Sequence, residues 1–160
     1  MYDTNYFKKH QFKYPKGKIL EDYYLTPFII IECDKIISID YLGYYYCETD
    51  NSIITSENNI HLIKNTYLEF YDIQKQKINN CNCSSQLKAK YIDFLIYILI
   101  EYGAKLSGKE QKRYIKIIKK RQILKDFENN TLKQKVKNSI IKVLFMFNLF
   151  YPIMKLLKFY

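Results

Sequence analysis

Glu21 and Asp22 are adjacent carboxylates, a residue type that can carry protons, and they stand where an apolar-periodic stretch begins. That stretch, Leu20 to Glu32, reads as a helix, so both acids fall in its first turn, where the dipole and the free N–H groups favour negative charge. Capping alone is enough to account for a carboxylate there. Four cysteines, Cys33, Cys47, Cys81 and Cys83, match no common zinc spacing, and only His10 and His61 stand ready to help them. They read as free thiols, with Cys81 and Cys83 in the polar loop NNCNCSS. The tyrosine run Tyr44, Tyr45 and Tyr46 has two readings, strand core or a platform for stacking on sugar, and alternation would turn Tyr45 away from the other two. Asn51 and Ser52 are first of all turn residues, with ligand contact as the second reading.

The elements that must position these residues follow from periodicity. Residues 3 to 10 suit a short helix, and Tyr14-Pro15-Lys16-Gly17 suits a turn with Pro preset at its second position. Pro27 inside the second helix predicts a kink or a restart there. Lys35 to Asp40 and Leu42 to Glu48 are β-branched and aromatic, which predicts two neighbouring strands. Ile60 to Ile78, Gln86 to Leu106, Lys109 to Phe127 and Leu132 to Phe159 carry apolar residues at helical spacing. The expected architecture is an α/β fragment followed by an all-helical C-terminal region, divided as 1–55 and 56–160. Two short strands make no stable open sheet unaided, so partner strands are expected from elsewhere.

Charge narrows the partners. With 26 Lys and Arg against 16 Asp and Glu, the 160-residue chain carries a formal charge of +10, which favours an acidic membrane surface, a nucleotide or a nucleic acid. The opening residues lack a basic-then-apolar signal segment, and the run Tyr91 to Ile100 is too short to span a bilayer. A cytoplasmic location, peripheral on the inner face of the cell membrane, is expected. From Thr131 to Tyr160 there are six lysines, no acid and a dense apolar set that includes Ile140, Ile141, Val143, Phe145 and Phe147. Such a segment suits the surface of an anionic membrane, and it also suits a solvated charged face over an ordinary helical core.

Taken in register, Tyr6-Phe7, the turn from Phe12 to Gly17, the Glu21-Asp22 pair, the run Lys35 to Asp40, the three tyrosines and Asn51-Ser52-Ile53 form one pattern. The pattern resembles the C-terminal half of a bacterial family 2 (GT-A type) glycosyltransferase, over residues 6 to 55. The resemblance implies transfer of a sugar from a nucleotide-sugar donor to a glycan or lipid-linked acceptor, with inversion, in envelope polysaccharide synthesis. It implies Asp22 as the catalytic base and Glu21 as its supporting neighbour. It also implies a divalent metal, Mg or Mn, for the full-length family.

Departures from the pattern matter too. The opening β-α units that hold the nucleobase and the aspartate-rich metal motif have no counterpart, so the metal ligands are expected to be absent from this chain and activity to need the missing half. Cys47 stands where the family often has Arg. The competing reading is a basic helical protein that binds nucleic acid or a protein partner. No zinc-finger or RNP-like pattern supports the nucleic-acid version, so no nucleic-acid partner is expected.

Overall fold

A computed structural model describes residues 3–18, 21–33, 35–45, 47, 60–106, 108–127 and 131–156. Seven α-helices run through them: α1 (Thr4–Lys9), α2 (Glu21–Glu32), α3 (Ile60–Asn80), α4 (Ser85–Lys105), α5 (Gly108–Lys120), α6 (Leu132–Met146) and α7 (Phe150–Leu156), with a 3-10 turn at Ile123–Asp126. The chain divides into two compact units, Met1–Thr66 and Tyr67–Tyr160.

In the first unit, Asp3 caps α1 by accepting from the N–H groups of Asn5 at 2.7 Å and Tyr6 at 3.3 Å. The helix ends on Gln11 at φ 54, with Phe12 N–H reaching Phe7 O and Gln11 N–H reaching Lys8 O, the paired bonds of a Schellman ending. Phe7, His10 and Phe12 gather there, with His10 stacked on Phe12 at 5.3 Å. Helix α2 runs through Pro27 without ending. It buries Tyr24, Leu25, Phe28 and Ile29 on one face, and the Tyr24 hydroxyl donates to Thr66 O at 3.4 Å.

The expected α/β fragment is corrected here: the described residues are all helical or irregular, and none belongs to a strand. The described residues of the two expected strands, 35–40, 42–45 and 47, follow an irregular path and are exposed throughout. A helix completes its hydrogen bonds within its own segment, whereas a strand needs a neighbour for every N–H and C=O and a surface for its apolar face. Lys35–Asp40 and Leu42–Tyr45 have the β-branched and aromatic composition without either.

The second unit forms around α4. Ser84 caps that helix by accepting from Leu87 N–H at 3.2 Å, and its core face buries Leu95, Ile96, Leu99 and Ile100 almost completely. Gln111 of α5 closes the other end, donating to Gly103 O at 3.0 Å and Leu106 O at 2.9 Å. Tyr114 of α5, fully buried, donates to Leu99 O at 3.1 Å, and Tyr151 of α7 donates to Ile100 O at 3.1 Å. Gly103 is needed at this crossing because an added Cβ would run into the Tyr151 hydroxyl and come within 3.1 Å of Tyr114 Cδ1.

Two expected helices are shorter than their periodicity suggested. Lys109 to Phe127 ends as a helix at Lys120, with Gln122 left-handed at φ 55, before the 3-10 turn. The expected helix from Leu132 breaks at Asn148, at φ 59. Asn148 N–H meets Phe145 O and Leu149 N–H meets Leu144 O, another Schellman ending. Pro152 lies in the first turn of α7, where its missing N–H costs little.

Candidate functional site

Glu21 and Asp22 are both exposed in the first turn of α2. The buried set Tyr24, Leu25, Phe28 and Ile29 holds the helix, so the two carboxylates stand on a fixed backbone with their side chains facing solvent. A carboxylate placed this way can accept a proton from a hydroxyl brought to it, which is the geometric requirement for a general base. Tyr44 and Tyr45 are exposed to more than four-fifths, as neither a buried core nor a paired strand would leave them. Tyr46, Asn51 and Ser52 lie outside the described residues.

The cysteines Cys33, Cys47, Cys81 and Cys83 form no disulfide with one another. The Cys33 thiol donates to Ile30 O at 3.2 Å, one turn back in α2. Among the described residues no group of three or more His, Cys, Asp or Glu side chains is placed to hold a metal ion, so the divalent cation that the resemblance implies has no fitting donor set there.

A polar cluster that the sequence reading did not single out lies in the second unit. Asp126, in the 3-10 turn, accepts from the Tyr71 hydroxyl and from Lys75 Nζ of α3, while Arg121 meets Asp72 at 2.8 Å. These groups line a polar cleft of about 550 Å³ with Asn79 and Gln76. Burial, then the hydrogen bond and charge of Asp126, hold the Tyr71 phenol proton far above its ordinary range. With each charge answered inside the cluster, its evident role is to pin the 3-10 turn to α3. Sequence gives little signal for it, because Tyr71 and Asp126 are brought together only by the tertiary fold.

A second concave surface, of about 1180 Å³, runs between α4 and α6 and is lined mainly by apolar side chains, among them Ile100, Val136, Ile140 and Leu144. Lys133 and Lys137 stand on its rim, Lys137 with its ammonium 4.4 Å from the centre of the Tyr97 ring. The apolar and lysine-rich character was legible in the sequence, but the groove itself depends on how α6 lies across α4. Among the described residues no single helix is long and apolar enough to cross a membrane, and α6 with α7 passes by length and composition only as a pair bent by 108°. No family model, no curated protein and no solved structure matches this chain.

Proposed function

We propose that this chain is the base-bearing, acceptor-side part of an inverting glycosyltransferase of the family 2 kind, acting together with a donor-binding half. The observation that carries the reading is the presentation of Asp22: exposed, beside Glu21, on the first turn of a helix anchored by buried Tyr24, Leu25, Phe28 and Ile29. The ordered resemblance over residues 6 to 55 supplies the chemistry.

In that reaction the acceptor hydroxyl gives its proton to the Asp22 carboxylate as its oxygen bonds to the anomeric carbon of the donor sugar. The bond from that carbon to the nucleoside diphosphate breaks on the opposite face, and the electron pair leaves with the phosphate oxygen, which inverts the configuration. Asp22 is the catalytic residue, and Glu21, beside it at the helix start, is its supporting neighbour. A divalent cation, Mg or Mn, would neutralise the departing diphosphate when held by the donor half. Exposed Ile36, Ile37, Ile39 and Leu42 add support of a different kind, since an apolar run left in water is a surface for another body to cover.

The test is Asp22→Asn in the enzyme assembled with its donor half. Loss of a general base predicts kcat lower by about 10²-fold or more with donor affinity nearly unchanged. An essentially wild-type kcat would remove Asp22 from the mechanism.

A further inference from the structure

Helix α6 has two apolar faces, and one of them is left exposed. At about 100° per residue, buried Asn138, Ile141 and Phe145 point the same way, into the core. Leu132, Val136, Ile140 and Val143 fall within about 80° of one another on the opposite side. All four are exposed by half or more, Leu132 to 78%. An ordinary surface helix puts polar residues on that side.

Lysines border this stripe on both flanks. Lys133 and Lys137 lie on the side facing the apolar groove, and Lys135 and Lys142 on the other. Beyond Lys142 a second cleft brings Lys119 and Lys125 to the same flank, with Lys119 donating to Met146 O and Asn148 Oδ1 at the end of α6. Helix α6 contains no acid, and among the residues lining the α4–α6 groove Glu101 alone is acidic, 3.6 Å from Lys105.

We propose that the outer face of α6 docks on an anionic lipid bilayer, with the aliphatic stripe among the acyl chains, the lysines at headgroup level and the groove beside α4 receiving a chain from the lipid. The charge pattern selects this occupant. A second copy meeting the same face would set lysine rows against lysine rows, which like-charge repulsion opposes. A nucleic acid would answer the lysines but leave the aliphatic stripe in water, since a sugar-phosphate backbone has no apolar surface to cover it. A bilayer of acidic lipid answers both features at once. The inference is independent of the sugar-transfer reading, because it uses none of the residues of α2.

The experiment is flotation of the full chain with vesicles of neutral lipid and with vesicles containing about one-third anionic lipid, at low and high salt. Anionic vesicles should bind it at least ten-fold better, and salt should weaken binding because each headgroup-level lysine is screened. Two variants separate the components: Val136→Gln with Ile140→Gln removes the stripe, and Lys133→Gln with Lys137→Gln removes one flank. Each should lower binding by ten-fold or more at an unchanged helical circular dichroism spectrum, since all four side chains are exposed. Equal binding to both vesicle types, no binding to either, or wild-type binding by both variants would overturn the proposal. Dimerisation of the chain that the stripe variant abolishes, without vesicle binding, would overturn it in favour of a self-association face.

Discussion

The segment from Lys35 to Tyr45 and the middle of α4 are both rich in isoleucine, leucine and tyrosine, yet Leu42 is 89% exposed while Leu99 is 1% exposed. The difference lies in what each conformation needs from outside itself. Helix α4 satisfies its backbone internally and has only to find cover for one face, which α5 and α7 provide. An extended segment needs both a hydrogen-bonding neighbour and a covering surface, and without them its composition carries no structure. Apolar content is therefore spent on stability in one region and left available for association in the other.

Substitution should separate the two regions sharply. Phe145→Ala, at a side chain 1% exposed and packed 4.8 Å from the Phe150 ring, should cost about 3–5 kcal/mol in denaturant unfolding, whereas Tyr44→Ala should stay within about 0.5 kcal/mol. Equal costs would break the comparison. Gly103→Ala should come next, at about 1–3 kcal/mol, because the new methyl displaces the Tyr151 ring from the α4–α7 crossing. Adding Tyr151→Phe to it should then relieve part of that cost, since the atom nearest the methyl is the hydroxyl oxygen. Alone, Tyr151→Phe should cost about 1 kcal/mol through the lost bond to Ile100 O.

The smallest effect should appear on raising pH. Burial, then the neighbouring Tyr67 and Glu110, push the Tyr102 phenol up to about 12, and burial raises Tyr91 and Tyr114 in the same direction. These groups keep their protons in the folded protein at a pH where the unfolded chain loses them. The contribution of Tyr102 is whole below pH 10 and is lost as pH rises from 10 through about 12, and those of Tyr91 and Tyr114 are lost at higher pH still. Thermal unfolding followed across that range should show Tm falling, and a flat profile would contradict the burial of these tyrosines.

The helices were legible because their signals are local. Ile63, Tyr67 and Phe70, or Leu87, Tyr91, Phe94, Leu95 and Ile98, repeat at helical spacing, and each such run lies within an observed helix. The break at Asn148 was not, because an apolar set runs through it from Phe147 to Phe150 and the left-handed residue is asparagine instead of glycine. Residues 35–47 misled for the opposite reason: strand composition is a statement about a neighbour, and no local pattern shows whether one is there. The carboxylate pair at the start of α2 could be placed from sequence because first-turn acids follow a short-range rule, whereas the Tyr71–Lys75–Asp126 cluster joins residues far apart in the chain.

The proposal that Asp22 is the base of a glycosyltransferase completed by a donor-binding half is tested by a sugar-transfer assay. Nucleotide sugars would be offered to the 160-residue chain alone and to the chain expressed with the β-α donor-binding units of a family 2 enzyme. Transfer is expected only by the combination, and it should be lost with Asp22→Asn. Turnover by the chain alone, or by a combination indifferent to Asp22→Asn, would contradict it.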